Sequence, residues 1–358
     1  NNLESYTNYG FKIRAYTNSG YGDWSNNSNF ITSQSIPSKP INPHYTSISH
    51  NSVDIKWDDP INKNGVMTNY KYKLERNGIL IAEEILNNLN KEVSKNNLLP
   101  YTNYNFSVSG VNGNNVYSEY SDILSFTTNQ WYPDKIININ SSVINQSMAI
   151  IYFSKPPVTN GVLTQYEIKL TKPDSQFNKY SIDINSLQSS TEPGYNYNFG
   201  VNGLDSYTLY KYNIRSYTIA GPGSYSNDMY FKTFISDPPL PDIPIINLDS
   251  ITLDSLTITF SNVSNINGEI ESYYLIVDNI NTSITNNLLI LTNNVINVTN
   301  LTNNTRYRFA LIACTSNILC STSSYTDIVT TLNKDSNIPN NHNNDINNDS
   351  SKKNNNKT

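Results

Sequence analysis

The chain carries the same pattern of apolar and polar positions four times. Each copy has a Leu, a Thr four residues later and a Tyr six residues later, and apolar side chains then follow at every second position. In the second copy these residues are Leu98, Thr102, Tyr104, Phe106 and Val108. An apolar side chain at every second position is typical of a β-strand with one buried face. The motif tyrosines of the four copies are Tyr9, Tyr104, Tyr210 and Tyr307.

The spacing of the copies gives the size of the repeating unit. Successive motif tyrosines are about 95, 106 and 97 residues apart. A repeat of that length is a complete small domain, so the chain is predicted to be a series of separate domains. We expect the C-terminal part of a truncated domain at 1–35, full domains at 36–130, 131–236 and 237–332, and a disordered Asn-rich tail at 333–358.

The three full repeats share further landmarks in the same order. Each has a Pro-rich stretch, an alternating strand that ends in an aromatic residue, an Asn-Gly turn, and a strand that begins with Tyr. The middle repeat is about ten residues longer than the others, and its insertion lies within 171–202, where it is predicted to extend a surface loop. The aromatic residues are Trp57, Tyr152 and Phe260, and the turns are Asn64-Gly65, Asn160-Gly161 and Asn267-Gly268.

The charge and hydropathy of the chain argue against nucleic-acid binding and against a transmembrane segment. Charged residues make up 15% of the sequence and the net charge is −5. A nucleic-acid-binding protein needs a basic stripe to displace counterions from phosphates, and no such stripe is visible. No apolar run approaches the ~18 residues that a transmembrane helix needs. We therefore expect no nucleic-acid partner and no transmembrane segment in this sequence.

Residues with catalytic or metal-binding chemistry are sparse. The His residues, at 44, 50 and 342, are scattered along the chain. Asp58-Asp59 is interpreted as an exposed turn after a strand, because no partner for a catalytic carboxylate pair is in view. No phosphate-binding loop and no nucleophile with a matching base is present in a plausible context. We therefore predict no catalytic residue, no metal site, no cofactor and no enzymatic activity.

The shared landmarks resemble those of the fibronectin type III domain, a seven-strand β-sandwich of the immunoglobulin-like class. The resemblance rests on the aromatic second strand, the Tyr that opens the third strand, the Leu-x-x-x-Thr-x-Tyr corner and the Gly-rich turn at 220–226. It covers nearly the whole chain except the tail. It implies an all-β fold in which two half-apolar sheets close over one core. The expected structural core residues are Tyr9, Trp57, Tyr104, Tyr152, Tyr210, Phe260 and Tyr307.

The fourth repeat departs from this pattern at its hairpin turn. There the Gly-rich turn is replaced by the segment from Cys314 to Cys320. Ala313-Cys314-Thr315-Ser316 followed by Cys320-Ser321 resembles a hairpin of some extracellular fibronectin type III domains. The resemblance implies a disulfide between the two cysteines, and with it maturation in an oxidising compartment. The alternative is a pair of free thiols in a cytosolic protein.

The predicted function is that of a non-enzymatic modular protein, outside the cell or on its surface. Tandem sandwiches would act as a spacer or adhesion array, with protein or glycan ligands contacting exposed loops such as Asn112–Ser118. The alternative is an accessory region of a larger receptor or enzyme whose catalytic domain lies outside this sequence. A cytoplasmic scaffold is a third reading, favoured only if the cysteines are reduced.

Overall fold

The computed structural model describes residues 3–113, 115–280 and 284–334. The regular secondary structure of the described residues consists of β-strands and two three-residue 3₁₀ turns, at Ile184–Ser186 and Leu248–Ser250. The predicted all-β sandwich fold is confirmed. The predicted tail lies outside the described residues from position 335 onward, and so does the third His.

The first group of strands forms two small two-stranded sheets, one pairing β1 with β4 and the other β2 with β3. Tyr9 of the corner is half-buried. Phe11 is 47% exposed and Phe30 42%, whereas the corresponding Phe106 and Phe126 of the next repeat are 0% and 4% exposed. The strands are β1 (Asn8–Phe11), β2 (Tyr16–Thr17), β3 (Gly20–Tyr21) and β4 (Ser28–Ile31).

The second group is a sandwich of a three-stranded sheet, ordered β5-β6-β9, and a four-stranded sheet, ordered β11-β10-β7-β8. Its core is built from alternate residues of both sheets: Val53, Ile55 and Trp57 from β6 meet Tyr70 and Tyr72 from β7. Trp57 is 2% exposed, and its ring lies 5.4 Å from that of Tyr70. The strands are β5 (Ile41–Ile48), β6 (Val53–Asp58), β7 (Met67–Arg76), β8 (Ile79–Leu86), β9 (Glu92–Lys95), β10 (Asn103–Asn112) and β11 (Leu124–Thr127).

The third group has one strand more in its first sheet, which is ordered β12-β13-β17-β16. Its second sheet is ordered β15-β14-β18-β19, and β20 also pairs with β18. The extra strand is β16, which pairs with β17 at the sheet edge. The strands are β12 (Ile139–Val143), β13 (Met148–Phe153), β14 (Gln165–Thr171), β15 (Phe177–Asp183), β16 (Gln188–Ser189), β17 (Tyr197–Asn202), β18 (Leu209–Thr218), β19 (Gly221–Pro222) and β20 (Met229–Lys232).

The predicted core residue Tyr152 is corrected by one position. Tyr152 is half-buried, whereas Phe153 is 0% exposed and its ring lies 5.0 Å from that of Tyr166. Phe153 therefore takes the place that Trp57 has in the preceding repeat. The sequence of β13, Met-Ala-Ile-Ile-Tyr-Phe, is apolar on both faces. Alternation alone does not fix which face is buried in such a strand, and a shift of one residue exchanges the two faces.

The fourth group repeats the architecture with sheets ordered β21-β22-β25 and β24-β23-β26-β27, and β28 also pairs with β26. Leu256 and Ile258 of β22 are 0% exposed, Phe260 is 9% exposed and Tyr307 is 4% exposed. The strands are β21 (Ile245–Asn247), β22 (Leu256–Thr259), β23 (Ser272–Asn279), β24 (Ile284–Leu291), β25 (Val295–Val298), β26 (Arg306–Cys314), β27 (Cys320–Thr322) and β28 (Val329–Thr330).

The Leu-x-x-x-Thr-x-Tyr corner has a hydrogen-bonding role in each repeat. The hydroxyls of Tyr104 and Tyr307 each accept a bond of 2.9 Å from the backbone N–H five residues earlier, and Tyr9 accepts one of 2.7 Å. The backbone N–H of the corner Thr donates to the hydroxyl of a second Thr in the closing segment of the repeat, as from Thr102 to Thr128 at 3.0 Å. These bonds fasten the corner to the end of its own repeat. The closing threonines are Thr32, Thr128, Thr233 and Thr331.

Candidate functional site: the domain junctions

The polar residues singled out in the sequence have structural partners. The carboxylate of Asp59 accepts a hydrogen bond from the hydroxyl of Tyr70 and lies 3.0 Å from the ammonium group of Lys63. The bond from Tyr70 is the largest cause of a lowered pKa for Asp59. Asp58 is exposed at the end of β6. These contacts stabilise the turn after β6, and the carboxylate of Asp59 is engaged by Tyr70 and Lys63.

A buried carboxylate that the sequence did not single out lies on β14. The side chain of Glu167 is 8% exposed, and Arg215 binds it through two nitrogens, each at 3.2 Å. The hydroxyls of Tyr225 and Tyr217 also donate to it. Burial opposes the charged form, but these bonds outweigh burial and lower the pKa of Glu167 to about 2. All partners lie on the same sheet or its hairpin, so the cluster fixes that sheet.

An aromatic ring beneath a cation recurs in every repeat. In each repeat a Ser or Thr hydroxyl accepts a hydrogen bond from a backbone N–H of the corner strand, as Ser121 does from Val108 at 3.1 Å. The aromatic ring belongs to the residue just before that Ser or Thr. A cation lies 4.2–4.5 Å from each ring centre, within the range of a favourable cation–π contact. This contact braces the closing hairpin against its sheet. The pairs are Arg14 with Trp24, Lys73 with Tyr120, Arg215 with Tyr225, and Arg308 with Tyr325.

The predicted contact loop Asn112–Ser118 is accessible only in its middle. Asn112 is 0% exposed and Ser118 is 7% exposed, whereas Tyr117 is 45% exposed. The side-chain amide of Asn112 donates to the backbone oxygen of Ser35 at 2.6 Å. The two ends of the loop are therefore structural, and Asn112 belongs to a junction between repeats.

Each junction is built from the same three hydrogen bonds. At the second junction, the backbone N–H of Trp131 donates to the backbone oxygen of Asn160 at 2.8 Å. The Asn160 amide donates to the backbone oxygen of Tyr132 at 2.8 Å, and the Thr218 hydroxyl donates to that of Trp131 at 2.7 Å. We call this set of bonds the linker clamp. It holds two successive linker residues on the Asn-Gly turn and the closing hairpin of the repeat that follows.

The clamp recurs with nearly the same lengths at the other two junctions. The amide of Asn64 donates to Ile36 at 2.7 Å, and the amide of Asn267 donates to Asp237 at 2.7 Å. The backbone N–H groups of Ser35 and Ser236 donate to these asparagines at 2.9 and 3.0 Å. The role of Thr218 is taken by Asn112 at the first junction, at 2.6 Å, and by Thr315 at the third, at 2.7 Å. The clamp is therefore a property of the repeat.

The glycine that follows each clamp asparagine leaves room for the linker. A Cβ atom on Gly65 would lie 2.2 Å from the side chain of Gln34, and one on Gly161 would lie 2.3 Å from Gln130. The carbonyl oxygens of these two glutamines accept the N–H groups of Val66 and Val162. The Asn-Gly pairs, which the sequence predicted only as turns, therefore also bind the linkers.

The linkers also contact the repeats that precede them. The hydroxyl of Ser35 lies 2.7 Å from that of Ser5, and the hydroxyl of Ser236 donates to that of Ser206 at 2.8 Å. At the second junction the ring of His50 stacks on Trp131, with centroids 3.6 Å apart and planes 11° apart. Each linker therefore contacts the repeats on both sides of it.

The disulfide predicted in the fourth repeat is present. Cys314 and Cys320 face each other across the hairpin of β26 and β27, with Cα atoms 4.1 Å apart. Cys314 is 2% exposed, and Cys320 is exposed. The residue that follows each cysteine binds a backbone oxygen of the linker: Thr315 donates to Ser236, and Ser321 donates to Pro238 at 2.6 Å. The disulfide therefore closes the hairpin that supplies these two bonds of the third junction.

Two searches of the described residues gave negative results. None of the helical segments within 3–113, 115–280 and 284–334 is long and apolar enough to cross a membrane. Over the same residues, no three His, Cys, Asp or Glu side chains are grouped so that they could hold a metal ion.

Comparison with known proteins shows similarity to one domain family. Residues 38–127 match the sequence profile of the fibronectin type III domain. Human ephrin type-A receptor 8 is 26% identical over 213 residues, which cover 55% of this chain and 20% of the receptor. Rat phosphatidylinositol phosphatase PTPRQ is 26% identical over 62% of this chain and 9% of its own length. Mouse neogenin is 25% identical over 66% of this chain and 16% of its own length.

The comparison with solved structures lists a fragment of three domains. The FN1–FN3 domains of chicken CNTN1 align with a TM-score of 0.40 and 11% identity, covering 82% of this chain and 98% of that one. The sequence relatives are far longer than this chain, which spans a fifth or less of each.

Proposed function

We propose that the chain is a tandem array of fibronectin type III domains, the family that residues 38–127 match, and that it acts as a non-enzymatic spacer and adhesion region outside the cell or on its surface. The observation that carries this proposal is the linker clamp, which repeats at all three junctions. A linker that is bonded to its neighbours transmits position and force from one domain to the next, whereas a free polar linker behaves as a flexible coil. Ordered linkers therefore suit a protein that holds a binding surface at a set distance.

Two further observations support the extracellular part of the proposal. The disulfide between Cys314 and Cys320 is of a kind that persists in oxidising compartments and is rare in the cytosol. The sequence relatives include proteins named as receptors. Ligands of the array would be proteins or glycans that contact the exposed parts of loops, such as the middle of the Asn112–Ser118 loop.

A second candidate is an accessory region of a larger receptor or enzyme. It is favoured by the small share of each relative that this chain covers. Immunoblotting of the endogenous protein with an antibody to residues 36–236 separates the two. A polypeptide near the 40.4 kDa of this chain supports the array alone, and a much larger one supports the accessory region.

Surface labelling tests the proposed location. Cells that produce the protein are stained with the same antibody before and after permeabilisation, and extracts are treated with a thiol-alkylating reagent with and without reductant. We expect staining of intact cells and no alkylation of Cys314 or Cys320 without reductant. Staining that requires permeabilisation, together with two alkylated thiols, would exclude an extracellular array and support a cytoplasmic scaffold.

A further inference from the structure

One edge of the first sheet is built differently in the three full repeats. In the third repeat β17 is covered by the extra strand β16. Among the described strands, the equivalent β9 and β25 have no such neighbour and form the sheet edge in the second and fourth repeats. Each of them is four residues long. An edge strand presents unpaired backbone groups to other chains, and native proteins block this pairing with charged side chains or a covering element.

The edge strand of the second repeat is protected by charge. Pairing with the neighbouring strand aligns Glu92 and Lys95 of β9 with Val295 and Val298 of β25. Glu92 forms an ion pair of 3.1 Å with Lys56 on the adjacent strand. Val295, at the position of Glu92, is apolar and 62% exposed. The charges that block pairing along β9 are therefore missing from β25.

The lack of charge extends well beyond β25. The sequence between Asp278 and Arg306 contains no Asp, Glu, Lys, Arg or His. In the second repeat the segment 79–95, which includes β8 and β9, carries five charged residues. Apolar, uncharged segments with a high β-propensity favour association between chains. This part of the fourth repeat thus lacks the side chains that would keep it apart from other chains.

Strand β25 carries an acceptor sequence for asparagine-linked glycosylation. Asn297-Val298-Thr299 fits the pattern Asn-x-Ser/Thr, in which x is not Pro. Val298 is 2% exposed and Ile296 is half-buried, so the alternation directs Asn297 outward, and both Asn297 and Thr299 are exposed. No hydrogen bond among the described residues uses the side-chain amide of Asn297. This amide is therefore available for modification.

Other acceptor asparagines have side chains that stabilise local structure. The side-chain oxygen of Asn145 accepts the backbone N–H of Ser147 at 2.8 Å, and that of Asn262 accepts from the amide of Asn294 at 2.9 Å. A glycan on either of these would disturb a bond of the fold. Asn297 combines an exposed, unengaged amide with an unprotected edge strand.

We propose that Asn297 carries an N-linked glycan that covers the free edge of β25. The proposal rests on the proposed extracellular location, because the glycan is transferred in the secretory pathway. The donor is an oligosaccharide on a lipid diphosphate. Nδ2 of Asn297 bonds C1 of the first sugar, the bond from C1 to the diphosphate oxygen breaks, and the amide loses one proton as the lipid diphosphate leaves. The attached glycan is bulky and hydrated, so it keeps a second chain from pairing with β25.

Occupancy of the site is measured on the full chain produced in a eukaryotic secretory system. Mass spectrometry of glycopeptides reports which asparagines are modified. The reference is the variant Thr302→Ala, which removes the neighbouring acceptor sequence at Asn300. We expect a glycan on Asn297 in this reference and its complete loss when Asn297→Gln is added. Adding Thr299→Ala instead keeps the asparagine and removes the hydroxyl of the acceptor sequence, and we expect the same loss.

The covering role is measured by sedimentation of the same variants. Loss of the glycan should tighten self-association of the chain about tenfold or more relative to the reference. Adding Val295→Lys to the variant without a glycan places a charge where β9 has Glu92, and we expect this change to restore the monomer. A change of an exposed valine isolates the edge, because the core of the repeat is left intact.

Two results would overturn the proposal. One is an unmodified Asn297 in a chain that carries glycans on Asn26 or Asn140, whose side chains are also exposed and lie in acceptor sequences. The other is self-association that does not change when the glycan on Asn297 is lost. In both cases the extracellular location stands. A chain without any glycan, in cells that are stained only after permeabilisation, overturns the location together with the glycan.

Discussion

Loss of one clamp asparagine should loosen its linker without unfolding the repeat. At the second junction Asn160 has φ of 54°, a conformation that L-residues other than Asn and Asp seldom adopt. The change Asn160→Gly keeps this backbone conformation available and removes only the amide that donates to Tyr132 at 2.8 Å. The variant therefore isolates one hydrogen bond of the clamp.

The expected magnitude follows from that one bond. A neutral hydrogen bond contributes about 1 kcal/mol, which corresponds to a roughly fivefold change in a local opening equilibrium. Adding Thr218→Val removes the bond of 2.7 Å to the backbone oxygen of Trp131. If the two losses add, the change becomes about 2 kcal/mol, or roughly thirtyfold.

Hydrogen exchange of the Trp131 amide is the assay, because this N–H donates to Asn160. We expect its protection to fall roughly fivefold in Asn160→Gly and roughly thirtyfold in the double variant. The matched control is Asn77→Gly. Asn77 also has positive φ, 50°, and also precedes a glycine, but it lies in the turn between β7 and β8. The linker-clamp interpretation fails if Asn160→Gly leaves exchange at Trp131 unchanged, or if the control raises it equally.

Three further predictions concern single repeats. The pKa of Glu167 is lowered to about 2 from 4.5. The charged carboxylate therefore stabilises the third repeat by about 3 kcal/mol above pH ~4.5, and this contribution is lost as the pH falls toward 2. Urea unfolding across this pH range should show the loss of stability in the third repeat, and a much smaller loss in Glu167→Gln. The buried hydroxyl of Tyr166 has no hydrogen-bond partner among the described residues, so Tyr166→Phe should raise the free energy of unfolding of its repeat by up to about 1 kcal/mol, whereas Tyr70→Phe should lower that of its repeat by about 1–2 kcal/mol. Replacing Cys314 and Cys320 by Ala and Ser should lower the stability of the fourth repeat by roughly 2 kcal/mol in chemical unfolding.

Each of these predictions has a contradicting result. A Glu167→Gln variant with the wild-type acid sensitivity would place that sensitivity on other carboxylates. Equal signs for the two Tyr→Phe changes would show that the partner of the Tyr70 hydroxyl does not matter. Unchanged stability of the cysteine variant in the fourth repeat, with the other repeats as internal references, would contradict the disulfide contribution.

Most of the fold could be predicted from the alternation of apolar and polar residues along the strands. Trp57 lies on β6 and Phe260 directly follows β22, and both strands have polar residues on the opposite face, so the pattern identified the buried side. Tyr152 was misplaced because β13 is apolar on both faces, and only packing against Tyr166 selects Phe153. A strand of two residues, such as β16, is too short to show any periodicity.

The junctions were hidden for a different reason. An Asn-Gly pair predicts a turn in either of two situations. The side-chain amide of the Asn can face solvent, as for the exposed Asn77, or it can bind a linker, as for Asn160. Which one applies depends on residues about 30 positions away in the sequence, such as Tyr132. Glu167 was missed likewise, because its partners Arg215 and Tyr225 are brought together only by strand pairing.

The linker clamp also bears on how such an array is divided or duplicated. The profile match begins at 38, yet the bonds that seat the chain on that repeat begin at Gln34 and Ser35. A recombinant fragment started at 38 would lack the backbone oxygens of Ile36 and Ser35, which the amides of Asn64 and Asn112 bind. The unit that keeps these bonds is therefore a sandwich together with the few residues that precede it in the sequence. A gene duplication that copied both would create a new, ready-made junction at once.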